Sequence, residues 1–86
     1  MAILLIYKKQ KMQKYRNTSG TSGVHAYEIT QTQITVQFTS GSVYVYNYIS
    51  TGSNNIEYMK TLAVRGSGLN SFIKTRVNKK YARRIR

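Results

Sequence analysis

The sequence predicts an α+β fold: a small three-stranded antiparallel meander with two short helices packed on one face, and basic N- and C-terminal arms. Three observations predict it. Apolar residues alternate with period two in stretches between Val24 and Ile49, separated by polar turns. From Ile56 to Val77 the spacing changes to three and four, with Gly66-Ser67-Gly68 as a break in the middle. Lys and Arg, finally, avoid this central block and gather on either side of it.

The order of the chain follows from these features. Residues 1–23 read as a basic N-terminal arm and polar linker, 24–78 as the α+β domain, and 79–86 as a basic C-terminal tail. In the first segment Leu4, Leu5, Met12 and Tyr15 share one side of a helix only weakly. Two readings stand there, a strand or helix docked on the core and an arm that folds on a partner. Asn17-Thr18-Ser19-Gly20-Thr21-Ser22-Gly23 is small and polar, as linkers are.

Val24–Thr30, Gln33–Thr39 and Ser42–Ile49 are the expected strands. A two-residue turn at Ser40-Gly41 would pair Phe38 with Val43 and Val36 with Val45, and set Gln37 beside Tyr44 and Thr35 beside Tyr46. One face of the sheet is then aliphatic, and the other carries Tyr44, Tyr46 and Tyr48 among Thr and Gln. With an even-length first loop, His25, Tyr27 and Ile29 fall on the aliphatic side. The helices should cover that side and leave the Tyr face open or crossed by the N-terminal segment.

Asn54, with Glu57 three residues on, resembles a capping box that opens the first helix. Ile56, Met59, Leu62 and Ala63 form its apolar stripe, and Gly66 ends it. Leu69, Phe72, Ile73 and Val77 form the stripe of the second helix, whose polar side is basic.

Composition narrows the chemistry. The net charge is +12, and Glu28 and Glu57 are the sole acids. Twelve of the fourteen Lys and Arg residues lie before Asn17 or after Ile73. That pattern describes a neutral unit with two cationic arms that seek a polyanion. With no Cys and one His, disulfides and thiolate metal sites are excluded and a metal centre lacks ligands. Two carboxylates, one of them expected in a cap, leave little for hydrolytic chemistry, so no enzyme, cofactor or small-molecule substrate is expected. Ala2–Ile6 is apolar but precedes its charges, the reverse of a secretory signal, and no run is long enough for a membrane span. The expected place is the cytoplasm, or a virion for a phage protein.

From Val24 onward the chain resembles the KTSC domain, a module found at the C-terminus of some lysyl-tRNA synthetases and alone in small bacterial and phage proteins. The matching residues are Tyr27-Glu28, Ile34-x-Val36-x-Phe38 and Gly41-x-x-Tyr44-x-Tyr46, the last holding the family's YxY. Ala63, Ser67 and Gly68 match its small-residue segment, and Asn70-x-x-Ile73 its helix before a basic end. Tyr48-Ile49 stands where the family's usual Pro would fall, and Leu69 where an aromatic residue is usual. The resemblance implies a KTSC-like domain over residues 24–78 and, through a common suggestion for the family, RNA binding.

The candidate site residues divide by chemistry. Tyr44, Tyr46 and Tyr48 would form a row of rings for stacking on unpaired bases. Tyr also favours strands for ordinary packing, and a covered face would make Tyr46 a stability residue. Arg65, Lys74, Arg76, Lys79, Lys80, Arg83, Arg84 and Arg86, with Lys8, Lys9, Lys11, Lys14 and Arg16 from the other arm, would hold phosphates. Gly66-Ser67-Gly68 before a helix is a secondary phosphate candidate, equally explained by capping. The expected function is a non-enzymatic nucleic-acid-binding module, with RNA or another single strand favoured over duplex. The alternative is a small basic structural component of a virion or ribonucleoprotein, its arms threading into protein partners.

Overall fold

A computed structural model describes residues 12–86. Its centre is a five-stranded antiparallel sheet in simple sequence order: β1 (Gln13–Lys14), β2 (Val24–Thr30), β3 (Gln33–Phe38), β4 (Val43–Asn47) and β5 (Arg83–Arg84). The predicted meander is its middle, and one two-residue strand extends it at each edge. Three helices follow β4: α1 (Tyr48–Thr51), α2 (Ser53–Arg65) and α3 (Leu69–Arg76). The fold is α+β, as its periodicities require.

The helices bury the residues their spacing marks. Ile56, Met59, Leu62 and Ala63 of α2 are buried, as are Leu69 and Ile73 of α3 and Val77 just after it. They meet Val24, Ile34, Val36 and Tyr46 from the sheet. Tyr27 and Ile29 pack half-buried against the same cluster, as expected. His25 does not. It is exposed at an irregularity between Val24 and Ala26, where the extra residue of a bulge turns its side chain out.

The β3–β4 hairpin corrects the expected register by one residue. Gln37 lies opposite Val43, Val36 opposite Tyr44, Thr35 opposite Val45 and Ile34 opposite Tyr46. The loop holds three residues, not two: the Phe38 N–H donates to the Ser42 carbonyl at 2.8 Å, and the Gly41 N–H donates to the Phe38 carbonyl at 2.8 Å. Gly41 takes φ +98°, the left-handed position that closes such a loop with a bulge. A slip of one residue moves every side chain of β4 to the other face. Tyr44 and Tyr46 therefore share the helix-covered face with Ile34 and Val36. The reverse face carries Ala26, Thr35, Val43 and Val45, which are buried too.

The cap also falls elsewhere than expected. Gly52 precedes α2 and makes no side-chain cap, and Asn54 lies inside the first turn. The reciprocal box belongs to α1: Asn47 Oδ1 accepts from the Ser50 N–H at 2.8 Å, and Ser50 Oγ accepts from the Asn47 N–H at 3.3 Å. Glu57 accepts instead from the Tyr48 hydroxyl and from Lys60 Nζ. Gly66 ends α2 at φ +83°, as predicted.

Both flanks join the domain. The Tyr15 N–H donates to the His25 carbonyl at 2.9 Å, and the ring is 2% exposed within the core. Residues 17–22 form a tight turn in which Asn17 Oδ1 accepts from the Ser22 N–H at 3.0 Å. At the other end, the Ala82 N–H donates to the Val45 carbonyl at 2.6 Å, and β5 pairs Arg83 with Val45 and Arg84 with Tyr44. Thr51 Oγ1 donates to the Lys80 carbonyl at 2.7 Å and ties the same segment to α1.

Candidate nucleic-acid interface

The expected row of three exposed tyrosines does not exist. Tyr46 is 2% exposed, inside the core. Tyr48 lies in α1, its hydroxyl given to Glu57 and its ring 5.9 Å from Lys60 Nζ. Tyr44, near the hairpin, is the one of the three that stays on the sheet with a half-exposed ring. The physical reasons are the three-residue loop, which turns Tyr44 and Tyr46 toward the helices, and the Asn47 cap, which ends β4 before Tyr48.

A different aromatic cluster takes shape around Tyr44. Its ring centroid lies 5.8 Å from that of Phe38 and 4.7 Å from that of Tyr81, both edge to face. The guanidinium carbon of Arg84 lies over the ring at 5.5 Å from the centroid, a cation–π arrangement. The pairing of Arg84 with Tyr44 across β4 and β5 sets this geometry, since opposed residues share a face. Tyr81 belongs to the tail, and its contact with Tyr44 depends on the β4–β5 pairing that folds the tail back along the sheet.

These rings form one wall of a groove of about 470 Å³. Tyr46 lies beneath, and α3 supplies the facing wall with Asn70, Ile73 and Lys74. Lys79 and Asn78 border it from the segment that leads to β5. Among the described residues, neither lysine is in an ion pair, because the one salt bridge is Lys60–Glu57 at 2.9 Å. Asn70, Asn78, Lys74 and Lys79 also make no side-chain hydrogen bond to described residues, and all but half-buried Asn70 are exposed.

The remaining predicted cations are distributed unevenly. Lys80, Arg83 and Arg86 are exposed along the tail beside the groove. Arg65 and Arg76 border a second depression with Tyr58 and Phe72, whose rings meet edge to face at 5.0 Å. Lys14 and Arg16 lie by β1, at the opposite edge of the sheet from β5. Arg16 is engaged there: its guanidinium donates to the Val64 carbonyl at 3.1 Å, a cation at the C-terminal end of α2. Lys8, Lys9 and Lys11, like Ala2–Ile6, lie outside the described residues. Among the described residues, then, Lys14 and Arg16 lie apart from the C-terminal set, and the C-terminal set is the one beside the aromatic groove.

Burial sets the protonation chemistry of this region. Desolvation, and secondarily the neighbouring phenols of Tyr44 and Tyr81, push the Tyr46 hydroxyl from its ordinary value near 10 up to about 12. At the other end of the sheet, the Tyr48 hydrogen bond and then Lys60 hold the Glu57 carboxyl below its usual range. The sign for Tyr46 follows directly. The unfolded chain releases this proton near pH 10 and the folded chain holds it to about pH 12, so this group lowers stability as pH rises through that window. A spectrophotometric titration should lose a late-titrating tyrosine in Tyr46→Phe, and that variant should lose less stability between pH 10 and 12 than the parent chain.

Among the described residues no three His, Asp or Glu side chains gather as metal ligands, and no helix is long and apolar enough to cross a membrane. Comparison with protein-family models, curated proteins and solved structures finds no match to this chain.

Proposed function

We propose that this protein is a non-enzymatic nucleic-acid-binding module that holds single-stranded RNA, or another strand with unpaired bases, mainly through phosphate. One observation carries the reading: exposed Lys74 of α3 and Lys79 of the tail line an aromatic groove with no carboxylate in its lining, and Lys80, Arg83, Arg84 and Arg86 are exposed on the adjoining tail. Lys and Arg with nothing to neutralise them attract a polyanion and release its counterions on binding. Aromatic rings next to such a track favour strands whose bases are free to stack. Duplex reading is less well served, because α3 offers no grouped Arg and Gln for base edges in a major groove. The likeness to the KTSC family belongs to the same proposal, as does a place in the cytoplasm or in a virion.

Binding to single-stranded RNA, single-stranded DNA and duplex, followed by fluorescence anisotropy across a salt series, tests it. The expected result is tightest binding to the single strands, with log affinity falling by about 0.7 per log unit of salt for each phosphate neutralised. Changing Lys79, Lys80, Arg83, Arg84 and Arg86 together to Gln should flatten that slope by up to about 3.5, while circular dichroism stays that of the parent. Such a variant is preferable to truncation after Ile73, which would also remove Val77 from the core. Affinity no greater than that of a scrambled basic peptide would overturn the reading and leave the basic arms as contacts for protein partners in an assembly.

A further inference from the structure

We propose that the groove takes one unpaired nucleotide of the bound strand, its base stacked on one ring of the Tyr44–Tyr81 pair and edge-on to the other, and its phosphate between Lys74 and Lys79. This rests on the nucleic-acid reading above and goes further, because a phosphate track by itself needs no concave aromatic site. The groove, at about 470 Å³, falls within the usual span of small-ligand pockets, roughly 300–1,000 Å³. Its apolar wall is made of three neighbouring rings, Phe38, Tyr44 and Tyr81, with centroids 5.8 and 4.7 Å from the central one. That cluster offers a surface the size of one base rather than an extended platform.

The end of the groove limits it further. Where the hairpin meets the start of β2, the Thr39 N–H donates to the Gly23 carbonyl at 2.7 Å, and both residues line the groove there. This hydrogen bond carries the β2–β3 pairing one step past Val24 and Phe38, so backbone bounds the groove at that end. Across from the rings, the Asn70 carboxamide brings both a donor and an acceptor, the pair needed against a base edge. Lys74 from α3 and Lys79 from the tail stand on the α3 side, within the same lining. Rings, an amide and two ammonium groups are together the complement of a nucleotide: a π face, a polar edge and an anion.

The test compares a short single-stranded RNA with an abasic strand of equal length and charge, at one salt concentration. The parent chain should bind the base-bearing strand roughly 5- to 100-fold more tightly, the span that stacking of one base supplies. Tyr81→Ala and Tyr44→Leu should each reduce that preference while leaving affinity for the abasic strand unchanged. Tyr81 is exposed, so its variant stays informative if the Tyr44 variant fails to fold. Equal binding of the two strands by the parent would overturn the base recess and leave the phosphate reading standing. A preference that survives both substitutions would place the base elsewhere and likewise overturn the recess. Binding of neither strand would remove both proposals together.

Discussion

Tyr46→Ala should lower the free energy of unfolding by roughly 3–5 kcal/mol, the range for removing a large buried aromatic side chain. The ring is enclosed by Ile34 and Val36 on the sheet and by residues of α2 and α3, and it meets Tyr81 edge to face at 6.4 Å. A domain of this size has little stability in reserve, so the variant should be partly unfolded at body temperature. Tyr46→Phe keeps the volume and should lose far less. Urea denaturation of the three proteins decides the matter. A Tyr46→Ala chain as stable as its parent but deficient in RNA binding would show that the ring faces solvent, contrary to the register of β4.

Gly66→Ala should be the most damaging single-atom change at a helix end, at roughly 2–4 kcal/mol. Two costs combine. Gly66 sits at φ +83°, where an L side chain costs about 1–2 kcal/mol. A Cβ there would also lie 2.6 Å from the Cβ of Arg16, an atom next to the backbone that cannot swing away. Relief requires β1 and its following turn to separate from α2, which would strain the Thr18 N–H bond to the Gly66 carbonyl, now 2.9 Å. Gly41→Ala is the control. Its φ is +98°, but nothing lies within 4 Å of the added atom, so only the backbone cost applies. Thermal melts should rank parent, Gly41→Ala and Gly66→Ala in falling order. Equal losses for the two variants would mean that the Arg16 contact yields freely.

These outcomes bear on how the arms relate to the domain. Tyr15 is buried and its hydroxyl accepts from the Leu69 N–H at 3.3 Å, so the chain before the polar turn contributes to the core and to the start of α3. A pattern search could not find this. Tyr15 is one aromatic residue in a basic, Gln-rich run, with no periodic partner nearby to mark a buried face. The tail was hidden for a similar reason. Two residues, Arg83 and Arg84, are too few and too polar to signal a strand, and their pairing is supplied by the unoccupied edge of β4.

The candidate site was legible in its charges and not in its rings. Lys74, Lys79 and Arg84 follow from composition, since cations without acids near them in sequence stay unpaired at the surface. Phe38 and Tyr81 were absent from the expected set because their meeting with Tyr44 needs the hairpin, the β4–β5 pairing and the turn after α3 all at once.

By itself, the sequence determined the α+β class, the three central strands, the apolar stripes of α2 and α3, the stop at Gly66 and the one-sided charge. Each of these rests on local periodicity or on residues adjacent in the chain, and local rules suffice for them. Only the tertiary structure decided which face of β4 meets the helices. Val43 and Val45 on one side and Tyr44 and Tyr46 on the other are both fit for burial, so alternation is silent about the choice. One additional residue in the Thr39–Gly41 loop settled it, turning the tyrosines inward and leaving Tyr44, met by Tyr81 from the far end of the chain, as the aromatic centre of the groove.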